Sequence, residues 1–557
     1  MLLEEDAFAN PRIRYTLETL LSTLGITFEF TTELTRFETQ APRRSTYLVV
    51  GAPQDRRMDG ISQETAVVAL PRPYVDLSAE IGRGAIPGES IPDPAACEIV
   101  SKPTRRGYLV GTATDLIGHC FRLLAREEEY ASGERDSHER FNWAHSPLSR
   151  SGQSPRPWVS QYAHVLLRCL EEACAGARLP LARKEHWPLG KPLAGCLSHD
   201  VDVVRRGKLP RGIAVRDVTR TLKSISRGRL GEATKRAAGI ARTARSGQDP
   251  YWTFDRISAM EKRFGYRSTY FLMAEKLHPE DGSYDLYAPP IARLLEDLRE
   301  NGCEVALHGS YATPADAKGL RRQKTLLEEV LGQPVVGHRN HLLRFRAPDS
   351  WRAQESIGLS YDSTLGFADH EGFRGGHAFP FHPYDLGEER PLDLIEIPLS
   401  VMDASLRKYR RLKGEDAEQA LDSCLEETQG VGGLATLLWH NDGFCEADYP
   451  GVSGLYERAM TWLHQKRAYV ATCQEIDRWW RAREAVRITP LAEGRAGWSL
   501  ESPLEIEGLV LRVSLLDPRS PVRLMGRAPM TLQREGDDYL LEFGLLPAGS
   551  SYEIEYS

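Results

Sequence analysis

A chain of 557 residues, 41% hydrophobic and 27% charged, has the composition of a soluble globular protein and is too long for one ordinary core, so two to four domains are expected. A formal net charge of -7 and a pI near 6.2 argue against a general nucleic-acid-binding surface. Nine cysteines, an odd number with no Cys-x-x-Cys pair, do not read as a disulfide framework but as buried thiols in a reducing compartment. The N-terminus, Met1 to Asp6, is acidic at once, and no apolar run approaches the roughly 18 to 20 residues that span a bilayer. A cytoplasmic location is the expectation.

Ile13, Leu17, Leu20, Leu21 and Leu24 recur at helical spacing behind Pro11, a fitting first-turn residue. Phe28 to Phe30, Thr46 to Val50 and Ala66 to Leu70 read as strands, so residues 1–190 are expected to hold a small α/β domain with a helical connection. Gly82-Arg83-Gly84 lacks the third glycine and the helix start of a dinucleotide fingerprint and reads as a loop. Leu116, Ile117, Cys120, Leu123 and Leu124 predict a helix running into the charge run Arg126 to Glu129, which reads as a solvated face. Residues 144–157, rich in Ser, Pro, Arg and Gly, predict an exposed connection or a strap across a neighbour, and Tyr162 to Ala173 a further helix. The prolines of Pro180 to Pro192 mark a domain boundary.

Leu193 to Cys196 then reads as a buried strand leading into Ser198-His199-Asp200-Val201-Asp202. Two carboxylates at spacing two from a strand end point to the same side and repel unless a cation or a proton compensates them. Residues 205–246 are strongly basic, opposed only by Asp217 and Glu232, with apolar groups at Ile213, Val215, Val218, Leu222 and Ile225. An ordinary helical insertion is the favoured reading, because Trp and Phe anchors are missing from the apolar face; contact with an anionic membrane is the alternative.

Beyond it strands and helices alternate: strands at Thr269 to Met273, Cys303 to Leu307, Pro334 to Gly337, Leu359 to Asp362, Leu394 to Ile397, Ala435 to Trp439 and Ala468 to Ala471. That alternation predicts parallel strands with right-handed crossovers, and seven or eight of them favour closure into a barrel over residues 191–485. From residue 486 short strands between Gly, Pro and Asp predict a small antiparallel β module, 486–557.

In such a barrel reactive side chains gather at the C-terminal ends of the strands. Read in order, those ends carry Asp200 and Asp202, His308, Arg339 with His341, Asp362, and His440. One carboxylate with two imidazoles suits a divalent, zinc-like ion with a position open to water. The other carboxylate can take a proton from that water, a histidine on the opposite wall can protonate a leaving group, and Arg339 can keep the base charged. Together these describe hydrolysis of an amide or ester.

Ser198-His199-Asp200-Val201-Asp202, Leu307-His308-Gly309-Ser310, Arg339, Tyr361-Asp362-Ser363 and Leu438-Trp439-His440 resemble, in order, the five motifs of the NodB-type polysaccharide deacetylases, carbohydrate esterase family four. The region around Arg126 to Tyr130 and Arg135-Asp136 resembles an uncharacterised domain found in front of such deacetylases. The resemblance implies a distorted (β/α) barrel and a metal-dependent hydrolase that removes an acetyl or related acyl group from a carbohydrate, acting on carbon–nitrogen bonds other than peptide bonds. It implies Asp200 as base, Asp202 and His308 as metal ligands, His440 as general acid and Asp362 as the carboxylate that tunes it. Val201 separates aspartates that are adjacent in the family, so the two roles could be exchanged. The family's second metal histidine falls at Ala312; His341 is the candidate replacement and His338 the runner-up, and alternation lets at most one of them reach the ion. Arg346-Ala347-Pro348 is a rival to Arg339. Asp369 to His377 reads either as a mobile solvated loop or as a substrate contact at the cleft, and Phe379-Pro380-Phe381 as an apolar wall for a sugar ring. The alternatives are a degenerate glycan-binding barrel without hydrolysis, motivated by Ala312, and a deformylase of a lipid-linked sugar.

Overall fold

The computed structural model describes residues 2–3, 10–30, 45–50, 65–71, 91–104, 107–206, 215–231, 233–234, 237, 249–282, 284–491, 495–515, 522–525 and 530–556. The loop expected around Gly82 and parts of the basic segment lie outside the described residues.

Near the N-terminus the helix Pro11–Thr23 starts where Asn10 accepts from the amides of Arg12 (2.9 Å) and Ile13 (3.4 Å), with Pro11 in its first turn. It packs with the helices Leu116–Leu124 and Trp158–Gly176. Beside them Leu2–Leu3, Ser45–Val50, Thr65–Leu70 and Gly107–Gly111 pair in parallel, and Val100–Thr104 closes the edge antiparallel. Phe28 to Phe30, expected as a strand, is irregular: Phe28 and Phe30 pack edge-on at 5.3 Å instead of pairing with a sheet.

The central sheet contains β1 (Ala194–Val201), β2 (Thr269–Leu272), β3 (Glu304–Gly309), β4 (Gly337–Asn340), β5 (Tyr361–Asp362), β6 (Ile395–Glu396), β7 (Val401–Met402), β8 (Leu434–Leu438) and β9 (Tyr469–Ala471). Its order is β6-β5-β4-β3-β2-β1-β8-β7, with β9 also on β1, and every pair is parallel. β1 is buried along its whole length, as expected of a strand covered on both faces. The sheet curls, but among the described residues β6 and β7 form no ladder with each other, so the expected closed barrel is an open half-barrel. Only residues 397–400 link those two strands, too short a connection for the crossover that parallel neighbours need.

The terminal β module is present, with Arg487–Pro490, Gly497–Ser502, Ser550–Tyr556 and Val522–Met525 in one antiparallel sheet. A second sheet pairs Met530–Glu535, Asp538–Phe543 and Val510–Ser514, and its last member is Leu181–Lys184 from before the half-barrel. Residues 181–184 thus pair with a sheet otherwise built from residues beyond 500.

The charge run is not a solvated face. Arg126 and Glu129 are buried, and Glu129 accepts a two-pronged bond from Arg374 (2.8 and 2.6 Å) as well as one from Arg126 Nε (2.8 Å). Arg126 also donates to the Arg374 carbonyl. Burial alone would raise the Glu129 pKa; the two guanidinium groups outweigh it and bring it down to about 2. Most of the stretch Asp369 to His377 is buried, with Asp369 and His370 half-buried. Arg374 and His377 are buried, and Phe373 donates to the Pro155 carbonyl at 2.8 Å, so residues 144–157 act as a strap. Phe379 and Phe381 are buried too; Phe379 stacks 5.7 Å from Trp480 and 6.1 Å from Trp187, which makes it core and not a sugar wall.

Candidate active site

Strand alternation sets what faces the inside of the curl. On β1, Ser198 and Asp200 point inward, and Asp202 follows just past the strand end. His199 points the other way, into a buried cluster with Glu261 (2.9 Å) and the Trp439 carbonyl (2.8 Å). On β4, Arg339 sits in register with His308 of β3. Its guanidinium is fully buried: NH1 donates to Asp200 Oδ1 and Ser198 Oγ (both 2.9 Å), Nε to the Ser363 carbonyl (2.8 Å) and NH2 to Ser363 Oγ (2.9 Å). It lies 4.1 Å over the Phe271 ring.

Next to this pair, Asp202, His308 and His341 form a triangle. His308 Nε2 is 3.3 Å from Asp202 Oδ1, His341 Nδ1 is 3.4 Å from the same oxygen, and the two nitrogens are 3.2 Å apart. A carbonyl oxygen only accepts, so His308 Nδ1 donates to the Arg339 carbonyl (2.9 Å) and His341 Nε2 to the Glu280 carbonyl (2.9 Å). Both rings therefore turn their lone-pair nitrogen toward an Asp202 oxygen that has no hydrogen-bond partner. Three buried acceptors facing one another need a proton or a cation. Without a cation a proton serves: burial lowers the His341 pKa, but Asp202 overcomes it and raises it, while the imidazoles hold Asp202 well below the carboxylate range against its own burial.

Tetrahedral ligands about 2.0–2.1 Å from a zinc-like ion lie about 3.3 Å from each other. The triangle edges match that spacing. The donor set, the orphaned oxygen and the backbone acceptors that fix both tautomers thus fit a divalent cation. Ala312 is exposed and contributes no ligand; His341 occupies the third corner.

Beside the triangle stands His440, whose Nε2 lies 3.7 Å from Asp202 Oδ2. Its Nδ1 bonds Asp403 Oδ1 at 2.7 Å, and Asp403 Oδ2 accepts from Arg407 Nε at 3.2 Å. Burial lowers the His440 pKa, but Asp403, Asp202 and Asp200 outweigh it and raise it to about 10. Asp403 is lowered against its burial by His440 and Arg407.

Asp362, expected beside His440, is elsewhere. It is the register partner of His338 on β4 and of Glu396 on β6, so all three face the helix side of the sheet, while Ser363 faces inward to Arg339. Asp362 Oδ1 bonds His338 Nδ1 (2.8 Å) and Thr364 Oγ1 (2.8 Å). Burial and the Asp362 charge push Glu396 well above the carboxylate range. Arg346, the rival to Arg339, has a side chain 62% exposed and lies 4.0 Å from Glu139.

Sequence reasoning missed Asp403, Asp281 and Arg140. Asp281, buried, accepts from the amides of Leu277 (2.8 Å), His278 (2.7 Å) and Tyr311 (2.6 Å), pinning the loop whose Glu280 carbonyl orients His341. Arg140, from the N-terminal region, donates to the Leu342 carbonyl at 3.0 Å. Leu342 and Leu343 have φ of 58° and 54°, a left-handed pair costly for side-chain-bearing residues, directly after His341. Only for Asp403 did the sequence carry a signal, Val401-Met402-Asp403, a two-residue strand ending in an acid, and it is too short to read by periodicity.

Residues 1–175 match the model of a family of unknown function (DUF7033). No curated protein matches the chain. Among solved structures, one named as a polysaccharide deacetylase of Mycobacterium smegmatis is 20% identical, with 54% of this chain and 93% of that one covered at a TM-score of 0.35. An allantoinase is 15% identical over 53% of this chain and 93% of its own, at a TM-score of 0.36. A carbohydrate esterase family four pseudoenzyme of Bacillus anthracis is 13% identical over 51% and 65%, at 0.24. At these scores the similarity assigns no activity to this chain.

Proposed function

We propose that the protein is a metal-dependent hydrolase that removes an acetyl or related acyl group from a carbohydrate. The observation that carries the reading is the Asp202–His308–His341 triangle, with its ion-sized edges and its fixed lone pairs. The five ordered motifs support the carbohydrate as substrate class. A divalent ion held by these three side chains supplies Lewis-acid polarisation of the acyl oxygen and acidification of water.

The chain's own residues divide the remaining work. Asp200, oriented by Arg339, accepts the proton lost as water oxygen bonds to the acyl carbon. His440, kept protonated by Asp403, delivers its proton to the nitrogen or oxygen that leaves as the bond to the acyl carbon breaks.

The non-hydrolytic reading rests on Ala312; the nearness of His341 to Asp202 and His308 favours hydrolysis over it. The test is acetate release from acetylated amino sugars with zinc added to metal-stripped protein. Wild-type turnover that falls by about 10²-fold or more in Asp200→Asn supports the assignment. A stripped protein that neither takes up zinc nor releases acetate would sink it.

A further inference from the structure

Between residues 205 and 246 the chain carries thirteen Arg and Lys against Asp217 and Glu232, a local surplus of eleven positive charges in a molecule of net charge -7. Within it the helix Val215–Ser226 leaves a row of apolar side chains in solvent. Ser224 is buried against the protein, whereas Val218, Leu222 and Ile225, one stripe at i, i+4 and i+7, are 39%, 60% and 50% exposed, and Leu230 beyond the helix is 65% exposed. Lys223, on the opposite face of the helix, and Arg227, just past its end, are exposed as well. Exposed apolar side chains in a row on one face of a helix with a cationic opposite face mark a surface that meets something apolar and anionic at once.

The insertion is rooted beside the candidate site. Arg206, four residues past Asp202, donates its amide to Asp249 Oδ1 (2.9 Å) and clamps Asp448 with two bonds (2.7 and 2.8 Å), so both ends of the excursion meet at the C-terminal end of β1. No helix among the described residues is long and apolar enough to cross a membrane.

We propose that this helix seats the protein peripherally on an anionic phospholipid surface, its apolar stripe in the acyl boundary and its cations on the headgroups. Nucleic acid would use the cations and leave the stripe in water. A second copy would bring two strongly basic faces together. Lipid alone satisfies both halves of the surface.

The test is sedimentation of the full chain with phosphatidylcholine vesicles, with and without phosphatidylserine. Binding is expected only to the anionic vesicles, with loss at high salt. Leu222→Asp with Ile225→Asp, and separately Lys223→Glu with Arg227→Glu, are each expected to weaken it by about tenfold or more. Both pairs are exposed, and unchanged thermal unfolding verifies the fold. His308→Ala is expected to keep vesicle binding, which separates this surface from the hydrolase reading. Equal binding to neutral vesicles, or indifference to both double variants, overturns the proposal. So does a stripe-dependent dimer without lipid, or a nucleic-acid duplex bound in place of vesicles.

Discussion

His440 is held charged by a partner that stands on a different strand end from the one its sequence context suggests. Asp403 makes the 2.7 Å bond, whereas Asp362 is sequestered on the far side of the sheet. The two carboxylates therefore separate by experiment. Asp403→Asn is expected to lower kcat by about 10²-fold or more and to move the alkaline limb of the pH–rate profile to lower pH, because the charge that raises the His440 pKa is gone. Asp362→Asn is expected to leave that limb in place and to cost about 1–3 kcal/mol of stability, read by denaturant unfolding, through a weakened buried hydrogen bond to His338. His341→Ala should abolish stoichiometric zinc retention, measured by elemental analysis, and Asp281→Ala should weaken zinc affinity about 10- to 100-fold by releasing the Glu280 carbonyl that fixes the ring. Phe379→Ala, at a position first read as a sugar wall, is expected to cost about 3–5 kcal/mol of stability and to leave KM unmoved, since its ring is buried against Trp187 and Trp480.

Among elements, the decisive contact joins the short helix Glu127–Ala131 to the strand-connecting stretch around Arg374. Glu129 has a folded-state pKa of about 2, below its ordinary value, so the stability it contributes is present above about pH 4.5 and is lost as the pH falls toward 2. A shift of that size corresponds to about 3 kcal/mol. Glu129→Gln is expected to lower stability at pH 7 by about 3–5 kcal/mol, since it leaves two buried guanidinium groups short of a counter-charge, and to flatten the acid limb of the stability–pH curve measured by urea unfolding. The turn that follows His341 depends on the same N-terminal region. Its two left-handed leucines are held by Arg140 on the Leu342 carbonyl, so a residue of the N-terminal region helps shape the turn that follows His341.

Across the whole molecule, one hydrophobic cluster runs from Ile13 to Ile554, through the N-terminal sheet, the half-barrel and the terminal β module. The order of strands and helices in the half-barrel was legible because each element carries its own periodicity: Glu304–Gly309 and Leu434–Leu438 are apolar runs bounded by turns, and Pro289–Glu300 repeats its leucines at helical spacing. Asp200, Asp202, His308, Arg339 and His440 were legible for the same reason, since a reactive side chain at a strand end is a local feature. Strand pairing is not local. Which carboxylate meets His440, which side of β5 Asp362 takes, and that Leu181–Lys184 joins a sheet built from residues beyond 500 depend on register between segments far apart in the chain. The sequence by itself determined the parallel architecture and the inventory of acids, bases and ligands, because periodicity and residue type are written within each segment. Only the tertiary structure decided the open seam between β6 and β7, the burial of the Arg126–Glu129 charges and the pairing of His440 with Asp403, because each depends on a partner that no single segment contains.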